Sequence, residues 1–157
     1  MLQMSKIINL GCSVSDVHRR YAEIHGALFG LTSYRMILYA LKGKTSSLYS
    51  DYELRLNTLQ DELTGLVEQI NRVDEDDLPL RNAAKLQQTL IDYTQTLNRA
   101  ISQLRSICGH LNNNEEDYRS TNESGQPTFN QDKVDYDYTI RELERIGTKL
   151  NKLFSTY

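Results

Sequence analysis

Apolar residues recur along this chain at alternating steps of three and four, the rhythm that keeps side chains on one face of an α-helix. The cleanest stretch is Tyr52, Leu56, Leu59, Leu63, Leu66, Ile70 and Val73, an a/d heptad seam over three repeats. It predicts a helix over 51–73, opened by the capping signal Ser50-Asp51-Tyr52-Glu53. A second seam, Ala83, Leu86, Leu90, Tyr93, Leu97, Ala100, Leu104, Ile107 and Leu111, predicts a longer helix over 78–111. Pro79 suits its first turn, where a missing N–H costs nothing. Ile91, Ile101 and Cys108 widen this stripe, so the helix is expected to face more than one neighbour. Tyr136, Ile140, Leu143, Ile146, Leu150 and Leu153 predict a last helix over 131–154.

The first helix is expected over 14–42, from the capping pattern Ser13-Val14-Ser15-Asp16 to the stop signal Gly43. Its core stripe is Val17, Tyr21, Ile24, Leu28, Leu31 and Leu38. A second stripe, Ala22, Gly26, Phe29, Met36 and Ala40, points elsewhere, and Gly26 with Gly30 forms a small-xxx-small pair. A helix apolar on two faces must be covered on two faces. Either this helix is the central one of the bundle, or Ala22, Gly26, Phe29, Gly30, Met36 and Ala40 pack on a second copy to give a homodimer. The two glycines are expected to serve close packing in both cases, because glycine inside a helix costs about 1 kcal/mol against alanine. From Gly26 to Leu41 the only charge is Arg35, but 16 residues fall short of the roughly 20 that span a bilayer.

Residues 1–12 are expected to be a tail lying on the fold, since Lys6 interrupts their apolar run and no secretory core is present. Residues 112–130, NNNEEDYRSTNESGQPTFN with its first residue at Asn112, contain no aliphatic side chain and are expected to be a long polar loop. Short connections between the first three helices force antiparallel neighbours. The expected fold is therefore all-α: a single-domain, up-down-up-down four-helix bundle with coiled-coil-like helices.

Composition fits a folded domain: 157 residues, 39% hydrophobic, 25% charged, two prolines and no tryptophan. A formal net charge of −3 argues against nucleic acid and against a polybasic membrane anchor. Residues 14–49 and 79–112 each carry a net +3 and residues 50–78 a net −7, so an acidic second helix beside basic neighbours is self-complementary. Cys12 and Cys108 form no CxxC pattern and are expected as reduced thiols in a cytoplasmic protein, with a disulfide between them left open.

Candidate chemistry is sparse. Gly43-Lys44-Thr45 lacks the phosphate-loop glycine five residues earlier, where Leu38 stands. No Asp or Glu lies three residues before His18, His25 or His110, which excludes the Glu-x-x-His pattern of carboxylate-bridged metal bundles. Cys108 and His110 are two apart and so lie on different helix faces. No catalytic residue, metal site or cofactor is expected. His18 and His25 share a face with Tyr21 between them, and Tyr21, His25 and Tyr93 form a candidate ligand pocket. The leading expectation is a non-enzymatic protein-interaction module, an adaptor, chaperone-like or assembly factor acting through helix surfaces. Alternatives are a small-molecule-binding or sensor bundle and a structural subunit assembling through coiled-coil contacts.

Overall fold

The computed structural model describes residues 2–29, 44–74, 83–112 and 129–155. They form α1 (Leu2–Phe29), α2 (Lys44–Asn71), α3 (Ala83–Asn112) and α4 (Phe129–Phe154), with no strand among the described residues. The helices pack as an up-down-up-down four-helix bundle. The antiparallel sense of successive pairs follows from the contacts. Cys12 of α1 shares a cavity with Gln69 of α2 and Ala27 shares another with Tyr52; Gln60 of α2 meets Asn98 of α3 while Ile70 meets Gln87; Ser106 of α3 meets Asp132 of α4 while Tyr93 faces Gly147.

The first correction concerns α1. Residues 2–12 are no tail but its first three turns. Ile7, Leu10, Val14, Val17, Tyr21, Ile24 and Leu28 are all buried, so the heptad runs unbroken through Gly11. A continuous buried stripe outweighs one capping signal, which is worth about 1 kcal/mol. Asp16 pairs with Arg19 and Arg20 on the helix surface instead, at 2.7 and 3.0 Å. The same competition extends α2 upstream. Its helix starts at Lys44 rather than 51, Tyr49 is buried, and Asp51 pairs with Arg55 within the helix. The stretch 30–42 of the expected first helix, with Gly30, Met36 and Ala40, lies outside the described residues, as do 78–82 and 113–128.

The second correction concerns which helix is central. It is α3, which touches all three others and carries fully buried Leu86, Leu97, Ala100, Ile101, Leu104 and Ile107. Its wide stripe requires this position. α1 packs chiefly on α2 and more lightly on α3, and its backbone scarcely approaches that of α4.

Charge links α1 to α2 as expected, through Arg20 and Glu62 at 3.0 Å. From α3 the polar link to α2 goes to a neutral side chain: Arg105 and Asn98 both bond to Gln60. Gln87 of α3 closes the end of α2, donating from Nε2 to the carbonyls of Ile70 and Val73, each at 2.7 Å. Ile70 lies in the last turn of α2, where intrahelical partners run out, and Val73 lies just beyond the helix end. At the other end His110 of α3 and Ser106 meet Asp132 in the first turn of α4, both at 2.7 Å. A carboxylate at a helix start and an imidazole at a helix end both complement the helix dipoles.

Among the described residues Gly26 serves no close packing: it is exposed, and a Cβ there would meet nothing within 4 Å. Gly26→Ala should therefore raise stability by about 0.5–1 kcal/mol in urea denaturation, through helix propensity alone. A decrease would show that the glycine holds a contact within the fold. The glycines that do admit close neighbours are Gly11 and Gly147. A Cβ at Gly11 would lie 2.9 Å from Cζ of Phe154, and one at Gly147 would lie 3.2 Å from Cε2 of Tyr93.

Candidate binding groove between α1 and α4

Because the backbones of α1 and α4 stand apart, side chains alone bridge them, and a groove remains between the bridges. Tyr136 of α4 makes the main bridge. It is fully buried, and its ring lies 5.6 Å from that of His25 and 5.8 Å from that of Phe29. Its hydroxyl meets the Tyr21 hydroxyl and lies 2.6 Å from Nδ1 of His25. Lys133 Nζ sits 4.8 Å from the centre of the Phe29 ring, a cation–π contact. At the other end Phe154 closes over Gly11.

Counting donors and acceptors assigns the protons in this chain. Tyr21 is 3% exposed, and Tyr136 is its only hydrogen-bond partner among the described residues. If Tyr21 donates to Tyr136 and Tyr136 donates to Nδ1 of His25, every buried hydroxyl proton has an acceptor. The opposite direction leaves the Tyr21 proton without one, at the cost of an unmade buried hydrogen bond. The neutral His25 ring then carries its proton on Nε2, the edge turned away from Tyr136.

Burial keeps these groups uncharged. It pushes the Tyr136 and Tyr21 hydroxyls far above the ordinary phenol value, and Tyr93 upward as well. It holds His18 below the usual imidazole value. His25 is lowered too, first by burial and then by the Lys133 charge, against a smaller upward pull from Asp137.

The groove runs in two adjoining cavities that share Tyr93, Gly147 and Asn151. One, of about 270 Å³, lies among Ile8, Gly11, Val14, Leu90, Leu150 and Phe154. The other, of about 560 Å³, lies among His18, Tyr21, His25, Tyr93, Ile140 and Leu143. The floor is α3, through Leu90 and Tyr93. The candidate pocket residues Tyr21, His25 and Tyr93 are thus brought onto one surface, with His18 beside them at 5.8 Å from the Tyr21 ring and 6.3 Å from the Tyr93 ring.

No family model, curated protein or solved structure matches the chain.

Of the candidate interface residues, Ala22, Gly26 and Phe29 lie among the described residues. Ala22 and Gly26 are exposed, and Ala22 borders the groove, whereas Phe29 is turned inward against His25 and Tyr136. Sequence reasoning placed Tyr136 in a core seam and missed the bonds of its hydroxyl to Tyr21 and His25, two residues of the groove lining. The available signal was a residue with a polar tip in an otherwise aliphatic stripe, which needs a partner for its hydroxyl once buried. Gly11 and Gly147 were also missed, since helical glycines carry no mark of what faces them.

Other groups are quiet. Cys12 is exposed and Cys108 buried, and both are free thiols. Burial, with Glu53 nearby, pushes the Cys108 thiol up to about 12, far from the thiolate that a nucleophile requires. Ser106 donates to Oδ2 of Asp132, the same carboxylate oxygen that His110 meets. No described helix is long and apolar enough to cross a membrane.

Proposed function

We propose that this protein is a non-enzymatic interaction module whose working surface is the α1–α4 groove, and that its partner is a protein presenting an amphipathic helix. The observation that carries this reading is the groove itself. It follows α1 from Ile8 to His25, which at about 1.5 Å per residue is roughly 25 Å. That is the length of several helical turns. The groove is also open along its length, whereas small-molecule sites enclose most of their ligand's surface. Its walls are mostly apolar and aromatic, suited to the i, i+3, i+4 and i+7 anchors of a docking helix. Glu144 is the one charged residue in its lining and has no ion pair among the described residues. A Lys or Arg on the partner helix complements it.

Photo-crosslinking in cells of the native organism tests this. A benzophenone amino acid at Thr148, exposed on the groove rim, should give an adduct that maps to an amphipathic helical segment of one partner. The same probe at Lys149, which is exposed and does not line the groove, should not. Equal labelling from both positions, or none from Thr148, removes the groove as the docking surface.

A second reading, a small-molecule or sensor bundle, is favoured by one observation: His25 lines the same cavity as Tyr21 and Tyr93, and the proton assignment above gives it an Nε2–H donor. A rise in melting temperature with one member of a metabolite panel supports it over the first reading.

A further inference from the structure

We propose that His25 is an acid-sensitive latch that holds the C-terminal half of α1 against α4 and so fixes the width of the groove. Three features of the packing converge on this residue. The α1 and α4 backbones scarcely touch, so their association near residue 25 depends on side chains. The polar part of that association is one chain of hydrogen bonds, Tyr21 to Tyr136 to His25. And that chain works in only one direction. It requires Nδ1 of His25 to accept, which it can do only while the ring is neutral.

A proton added at Nδ1 turns the acceptor into a donor. Tyr136 must then accept from His25 and donate to Tyr21, and the Tyr21 hydroxyl loses its acceptor. The groups around His25 offer the new cation little relief. From α4, Lys133 repels it and Asp137 attracts it, but Asp137 already holds Lys133 at 2.7 Å. Glu144 stands farther along the groove. From α1 the ring neighbours are Tyr21 and Phe29, and the other ring-bearing residues of the same cavity are His18 and, from α3, Tyr93, none of them anionic. When α1 swings away from α4, the protonated Nδ1 is freed from Tyr136 to donate to water, Tyr136 can again accept from Tyr21, and the conflict ends.

The direction of the pH effect follows from linkage. The docked state holds His25 below its usual value of 6.5, so between the two values the released state binds more protons. Docking is therefore complete above about pH 6.5 and weakens as the pH falls toward the docked-state value. In that window the equilibrium for release grows by up to about tenfold per pH unit for one titrating group. The consequence for partner binding rests on the groove reading above. The latch itself is a property of the chain alone.

Hydrogen exchange of the isolated protein at pH 7.5 and pH 5.5, corrected for the intrinsic pH dependence of exchange, tests the latch. In wild type, amides of residues 21–29 should lose about tenfold in protection at the lower pH, while α2 and α3 keep theirs. His25→Gln offers a carbonyl to Tyr136 and does not titrate, so it should abolish that selective loss; His18→Gln should leave it in place. Equal acid loss in wild type and His25→Gln, or no selective loss in wild type, overturns the latch. Should His25→Gln fail to fold, the ring-proton titration of His25 in the wild type decides by NMR. A midpoint below 6.5 supports the latch, and one at or above 6.5 overturns it. Because no partner is present, failure here is distinct from failure of the groove as a docking surface.

Discussion

Tyr136→Ala should lower stability by about 3–5 kcal/mol, the range for removing a buried aromatic ring. The ring is fully buried and touches both His25 and Phe29, so its loss opens a cavity where the α1 and α4 backbones scarcely approach each other. Its hydroxyl is the shared partner of Tyr21 and His25, and both lose it together. In a chain of this size the loss corresponds to roughly 10 °C in Tm. Tyr136→Phe separates the two contributions. It keeps the ring, breaks the hydrogen-bond chain, and should cost about 1–3 kcal/mol. Thermal unfolding of both variants checks the pair. A Tyr136→Ala protein within 1 kcal/mol of wild type would mean that the α1–α4 contact is not part of the cooperative core.

Leu97→Ala should be of similar size, about 3–4 kcal/mol, within the range for a fully buried leucine. Leu97 is 0% exposed and sits mid-way along α3, the helix that every other helix touches. A void there is bounded by several elements that cannot all move inward, so the cavity stays open. Leu54→Ala is the matched control. Leu54 is 67% exposed on α2, and its truncation should change stability by less than about 0.5 kcal/mol. Urea unfolding of the two variants tests whether α3 is the spine of the bundle, and equal effects would contradict it.

The helical rhythm was legible because it is set by local geometry. An a/d seam lies on one face whatever the partner, so the seams of α2, α3 and α4 came directly from residue spacing, and the antiparallel order from short connections. Where two local signals competed, sequence alone weighed them wrongly. The caps at Ser13–Asp16 and Ser50–Glu53 were read as helix starts, yet both lie inside helices, because Ile7, Leu10 and Tyr49 bury more apolar surface than a cap can offset. The two-faced α1 stripe suggested a central helix, but the wider α3 stripe took that position.

The groove was only partly legible. Tyr21 and His25 share a helix face, which spacing shows, and Tyr93 lies on a seam that faces inward. Their meeting on one surface depends on how far apart α1 and α4 sit, and no spacing rule encodes an interhelical distance. The same holds for Gly11 and Gly147, whose use is decided by the Phe154 and Tyr93 rings opposite, and for Gly26, which faces nothing among the described residues.

By itself, then, the order of residues determined four amphipathic helices and their up-down sequence, because helix periodicity and short connections are local constraints. The tertiary structure decided which helix is the centre, where α1 begins, and that α1 and α4 part to leave an aromatic-lined groove. Those outcomes follow from the competition among several apolar faces for one interior, which only the packed chain resolves.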